Sequence, residues 1–186
     1  MNRRGSMYQQ ALGAPFDRLH PALRKFHRLQ GRHVLFGEVE THAPASMPAK
    51  LLARCLGTPL RSGRGEIRFE LDAPADSESA PVESWTRHFP GRTMRSRLAL
   101  AQGAIVERLG PVRLAFMLQE HEGRLSMRLV RMHVAGVRCP GWLLPQVLAE
   151  ETGGDGRIEF RISASLAHIG EVAGYHGHLL LPGTAS

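Results

Sequence analysis

The chain is almost without lysine: Lys25 and Lys50 are its only two, so 22 of its 24 basic residues are arginines. Its two cysteines, Cys55 and Cys139, form no CxxC and no metal-ligand spacing, which excludes a disulfide framework and a zinc ribbon. Both read as small buried apolar residues. Phosphate-binding glycine loops, a GxSxG elbow and an HExxH helix are all missing, so no motif supports nucleotide binding, an α/β hydrolase or a zinc protease. No stretch approaches the roughly 20 apolar residues that a membrane-crossing helix requires. The opening MNRRGSMYQQALGAPF is positively charged but has no apolar h-region, so no signal peptide is visible and a cytoplasmic location is expected.

What is present fits one domain over residues 1–186. A chain of 186 residues with 42% hydrophobic and 22% charged residues can build a sizeable core without metals or disulfides. The formal charge is +7, but the arginines are scattered among 17 acidic residues. There is no compact basic run and no helix-turn-helix pattern, so a nucleic-acid partner is not expected.

Residues 6–29 are helical in character, with breaks near Gly13–Pro15 or His20–Pro21. This N-terminal segment, residues 1–30, is expected to pack on a β-rich body spanning 31–182. HVLFGEVETH (33–42) reads as the first strand, with Gly37 marking a bend or bulge. Ser46 and Gly57 bracket a short helix over 47–56, with Leu51, Leu52, Cys55 and Leu56 as its apolar face. From Arg64 onward the pattern alternates with period two and is punctuated by turns. GEIRFELDA (65–73) and VESWTRHF (82–89) flank a polar loop over 73–81, expected to be mobile. Further strands follow on either side of turns at Pro90–Gly91, Gln102–Gly103 and His121–Gly123. A second short helix is expected over 142–150. About nine strands result. The expected class is α+β: one large curved antiparallel sheet, barrel-like or half-barrel, with N-terminal helices and two short helices.

One stretch carries the chemical interest. In VESWTRHFPG, strand alternation puts Trp85, Arg87 and Phe89 on one face. A permanently charged guanidinium thus stands between two large aromatics. If 82–89, 92–101 and 104–110 form a meander, Glu107 lies two strands away, roughly 10 Å between backbones, and the side chains can meet over small Ser96 or Ala99. Two readings stay open: a buried structural ion pair, or a polar anchor for a ligand in an aromatic-walled cavity. Glu107, His133 and Tyr175 are the candidate acid/base residues. In YHGH (175–178), His176 and His178 share a strand face, but a third metal ligand is missing.

LHPALRKFH, WTRHF with the following Ser96, IVERLGPVRLAF, CPGWLLP, GRIEFRIS and YHGHL occur in this order. Together they resemble an uncharacterised bacterial family, domain of unknown function four-one-six-six, over roughly residues 12–181. The resemblance marks Trp85, Arg87, Phe89, Ser96, Glu107, Gly110, Pro140, Pro145, Tyr175 and Gly177 as signature positions. It implies domains found alone or C-terminal to saccharopine-dehydrogenase-like or short-chain-dehydrogenase-like domains, with no established activity.

The leading expectation is a non-enzymatic module that binds a small apolar or amphipathic ligand through Trp85, Arg87, Phe89, Glu107, His133 and Tyr175. One alternative is an isomerase, cyclase or hydrolase of an acyl or polyketide-like substrate in the same cavity. Another is a docking domain for an oxidoreductase. No cofactor and no metal are expected, and the sequence is silent on oligomeric state.

Overall fold

The computed structural model describes residues 5–74 and 82–183; positions 75–81 of the expected polar loop lie outside the described residues. Strands β1 (Gly31–His42), β2 (Gly63–Ala73), β3 (Val82–Phe89), β4 (Arg92–Ala101), β5 (Ala104–Leu109), β6 (Val112–His121) and β7 (Arg124–Val134) follow one another as an antiparallel meander. The two-residue β8 (Val137–Arg138) only extends one edge of β7. The meander resumes with β9 (Gln146–Gly154), β10 (Arg157–Leu166) and β11 (Gly170–Leu180). Then β11 pairs with β1, so β1–β7 and β9–β11 form a closed ten-stranded barrel rather than a half-barrel.

Local sequence explains the meander. Along β3, burial alternates strictly: Glu83, Trp85, Arg87 and Phe89 point inward and their neighbours do not. Ile67, Phe69 and Leu71 do the same on β2. The turns Gln102–Gly103, Glu122–Gly123 and Ala135–Gly136 each place two consecutive residues at positive φ, the geometry that matches hairpin twist.

Both ends of the barrel are covered. At one rim, α1 (Met7–Leu12), a 3-10 turn (Ala14–Arg18) and α2 (Pro21–Phe26) fold across the opening. Chain breaks occur at both expected places, Gly13–Pro15 and His20–Pro21. The His20 amide donates to the Gly123 carbonyl on the β6–β7 turn, and the Lys25 ammonium to the Pro182 carbonyl. Met7, Tyr8, Phe16, Leu19, Leu23 and Phe26 all join the barrel core. At the opposite rim sits α3 (Met47–Leu56), capped by Ser46 and ended by Gly57 in the left-handed conformation.

Four expectations change. Residues 146–154 are strand β9, not part of a helix. After Val147, the residues LAEE are good helix formers, but a strand is needed between β7 and β10 to close the sheet, and that tertiary demand wins. Gly37 is no bulge, because the ladder runs through it on both sides. The face that α3 buries centres on Ala49 and Ala53, packed with Val172; of the four expected residues Leu52 and Leu56 pack against it, whereas Leu51 and Cys55 are exposed. Cys139 is half-exposed. Neither cysteine is a core residue.

Gly37 and Gly177 instead mark where two strands approach closely at the closing seam. A Cβ at Gly37 would lie 1.8 Å from the His178 carbonyl oxygen, and one at Gly177 would lie 2.1 Å from the Glu38 carbonyl oxygen. Neither backbone can yield without disturbing the β1–β11 pairing. Gly37→Ala and Gly177→Ala are each expected to cost about 1–3 kcal/mol by denaturant unfolding. Gly63→Ala, with nothing within 4 Å of its added Cβ, is expected to stay within about 0.5 kcal/mol of wild type.

Candidate functional site

The inward row of β3 sets the site. Arg87 faces the interior beside Trp85, and the register brings Ser96 of β4 opposite Trp85 and Glu107 of β5 opposite Leu98. The small serine leaves room for the long side chains to meet. Arg87 Nη1 donates to Ser96 Oγ at 3.1 Å and to Glu107 Oε1 at 3.3 Å; Nη2 donates to the same Oε1 at 3.4 Å. This is a long, shared contact with one oxygen, not the two parallel bonds of a fork-to-fork pair. The guanidinium carbon also stands 4.9 Å from the Trp85 ring centroid and 5.9 Å from that of Phe69. Burial alone would lower the Arg87 pKa, but Tyr175, Glu107 and Tyr8 outweigh it and raise the value further. Arg87 is charged at any working pH.

A second polar group lies under the helical cap. His27, at the end of α2, meets Glu151 of β9 at 2.7 Å, and both side chains are buried. Tyr8 of α1 stacks on the His27 ring at 3.8 Å between centroids and lies parallel to Trp85 at 6.3 Å. Trp85 Nε1 donates to Glu83 Oε2 at 2.9 Å. Desolvation pushes the Glu83 carboxyl above its ordinary range, against the lowering effects of the Trp85 bond and of His27. The Tyr8 hydroxyl is fully buried and has no hydrogen-bond partner among the described residues. Burial raises its pKa well above that of an ordinary phenol, and Glu151 adds to the effect. Burial likewise pushes Tyr175 up to about 12, with Arg87 pulling the other way.

These groups surround an interior cavity of about 140 Å³. Its polar lining includes Tyr8, Arg87, Glu107, Glu151 and Tyr175; its walls are otherwise mostly apolar, among them Phe69, Trp85, Leu98, Ile105, Phe116 and Phe160. On one side the wall is thin. β7 and β9 pair only between Leu125–Met127 and Ala149–Glu151, and Val147 lines both the cavity and a depression on the outer surface.

Of the six residues singled out from sequence, Trp85, Arg87, Glu107 and Tyr175 line this cavity. Phe89 is buried behind it, packing edge-on against Tyr175 at 4.9 Å. His133 is not there: it pairs with Arg113 and Arg138 on the outer face, because a bulge in β7 beside Ala115/Phe116 resets which residues point inward. Sequence reasoning missed Tyr8, His27, Glu83 and Glu151. His27 and Glu151 had no visible link, since 124 positions separate them. Among the described residues no cluster of three or more His, Cys, Asp or Glu is placed to hold a metal.

The family model described as "Domain of unknown function (DUF4166)" matches residues 19–179. The chain belongs to this family. The DUF4166 match takes in every strand of the barrel and α2, and so nearly all of the cavity wall. No curated protein matches the chain. Among solved structures, Rv2717c from M. tuberculosis is similar at 8% identity and a TM-score of 0.47, over 88% of this chain and 98% of that one. A putative thioesterase II from Thermobifida fusca YX is similar at 12% identity and a TM-score of 0.24, over 81% and 80%. At those scores neither likeness bears on the chemistry of the DUF4166 barrel.

Two predictions follow from the buried charges. Arg87→Met leaves Glu107 without its cation in a largely buried position, with an expected loss of about 3 kcal/mol. Adding Glu107→Gln is expected to restore part of it, so a double-mutant unfolding cycle should be non-additive. For Glu83, a folded pKa above the unfolded one means that stability is fullest below the ordinary carboxylate value and falls as pH rises through the raised value. Glu83→Gln keeps an acceptor for Trp85 without the charge. It should melt above wild type at slightly alkaline pH and lose that advantage below about pH 4. A variant melting below wild type at alkaline pH would contradict the assignment.

Proposed function

We propose that the barrel is a binding module for a small, mostly apolar ligand carrying one acidic group, with Arg87 as its anchor. One observation carries this reading: Arg87 reaches only one oxygen of Glu107, at long range, the buried Tyr8 hydroxyl has no partner among the described residues, and both side chains line one largely apolar cavity. Buried donors without acceptors are uncommon in folded proteins. A carboxylate would give the Tyr8 hydroxyl the acceptor it lacks and would offer Arg87 a closer partner than the long contact it makes with Glu107.

The cavity limits the ligand more tightly than the sequence did. Pockets for drug-sized ligands run to about 300 Å³ or more, and about 140 Å³ is well short of that. An engineered apolar cavity of about 150 Å³ takes benzene. The ligand class is therefore a compact carboxylic acid of about six to nine non-hydrogen atoms, not a long acyl chain.

The same geometry bears on the enzyme alternative. Glu107 and Tyr175 do line one cavity, as that alternative requires. A phenol pushed up to about 12 is poorly matched to proton transfer near neutral pH, however. Glu107 is engaged by Arg87. Binding without turnover fits these groups better.

The test is calorimetric titration with butyrate, isovalerate and benzoate, against the matching alcohols. The acids are expected to bind and the alcohols to bind at least about tenfold more weakly, since an alcohol offers the Arg87 guanidinium no charged acceptor. Tyr8→Phe separates function from structure. Losing an unpartnered hydroxyl should raise the melting temperature of the empty protein while weakening acid binding several-fold. If none of the acids binds, or acids and alcohols bind alike, the reading fails.

A further inference from the structure

The rim that carries α3 has a surface the barrel itself does not explain. The four most exposed large apolar side chains among the described residues are Trp142 at 78%, Met47 at 75%, Val137 at 72% and Leu51 at 65%. All belong to this one end. Met47 and Leu51 are on α3, whose leading Ser46 hydroxyl donates to the Ile169 carbonyl in the β10–β11 turn. Val137 follows the β7–β8 turn, where the Ala135 amide donates to the Pro111 carbonyl in the β5–β6 turn. Trp142 lies in the link that runs from β8 to Gln146, which pairs with Ser165 just before that same β10–β11 turn.

Around these tips the charge has one sign over much of the rim. On the outer face, Arg97 stands opposite Arg108, Arg108 opposite Arg113, Arg113 opposite His133, and His133 opposite Arg138. Like charges directly opposite on neighbouring strands destabilise a sheet. Here two Arg–Arg pairs follow one another across β4 to β6, the row runs on through His133 to Arg138, and among the described residues none of these makes an ion pair with an acid. Residues 123–149 and 43–65 contain no acidic residue at all. Lys50 and Arg54 lie exposed on α3 beside the apolar pair. Carboxylates at this end, Glu40, Glu66 and Glu171, sit on the β1, β2 and β11 side. Among the described residues no carboxylate pairs with this row, which leaves it open to a partner of opposite charge.

We infer that this rim docks on a lipid surface that carries anionic headgroups, with Trp142, Val137, Met47 and Leu51 entering the headgroup boundary and the arginines held against the phosphates. Tryptophan with aliphatic neighbours at the tips, and cations behind them, is the pattern of interfacial attachment. A nucleic acid would use the arginines and could stack on Trp142, but has no use for Val137, Met47 and Leu51. None of the described helices is long and apolar enough to cross a membrane, and docking of this kind needs none. The inference stands on surface residues and is independent of what the cavity holds.

The test is flotation of the full chain with phosphatidylcholine vesicles, with and without phosphatidylglycerol. Binding is expected only with phosphatidylglycerol, weakening as salt rises, with a blue shift in the emission of Trp142; the other tryptophan, Trp85, is already buried. Trp142→Ser with Leu51→Ser, and separately Lys50→Glu with Arg54→Glu, should each weaken binding about tenfold or more without changing the melting temperature. Arg32→Glu, at the opposite rim, should bind as wild type. No binding, binding that is indifferent to phosphatidylglycerol, or unchanged binding of either double variant would overturn the inference. So would displacement of the vesicles by a single-stranded oligonucleotide that binds the Trp142→Ser, Leu51→Ser protein as tightly as wild type.

Discussion

The pairing of the first strand with the last is the constraint on which everything else rests. Every other ladder in the barrel joins strands that are neighbours along the chain, apart from the two-residue β8. Only β1 with β11 brings distant segments together, over Gly37–His42 and Gly174–Leu179. Glycines at Gly37 and Gly177 let the two backbones approach there. Without that seam the sheet would be an open meander with two long edges. With it, an enclosed interior exists, and each polar group pointing inward must find a partner inside.

That interior is not built as a packed core would be. Trp85, Phe69 and Phe116 supply apolar walls, yet Arg87, Glu107, Glu151, Tyr8 and Tyr175 share the same space. Replacing a buried ion pair by apolar residues is often neutral or stabilising, so stability alone gives no reason to keep one beside an open volume. The charged groups divide by role. His27 and Glu151 tie the helical cap to β9, and Trp85 satisfies Glu83. Arg87 is the cation among the cavity-lining groups, and its contacts with Glu107 are long and shared.

The sequence displayed the meander plainly because a half-buried strand writes its period into alternate residues. VESWTRHF was legible as a strand to the residue, and strand spacing placed Arg87 within reach of Glu107 over Ser96 or Ala99, of which Ser96 is the one it meets. Features that depend on distant packing were not legible. VLAEE has helix-forming residues and becomes β9 because the barrel needs a strand there. His133 points outward because a bulge shifts the parity of β7. The basic row was invisible for a related reason: its members are single arginines spread from Arg97 to Arg138, and only the cross-strand register aligns them.

The central claim is that the space beside Arg87 is a ligand site and not a packing defect. Native mass spectrometry of the protein as purified from cells addresses it most directly, set beside the same measurement on Arg87→Met. The account predicts a bound species of small mass on wild type, released on denaturation as a carboxylic acid and missing from the variant. A bare polypeptide mass for wild type, unchanged after incubation with short carboxylic acids, would contradict it.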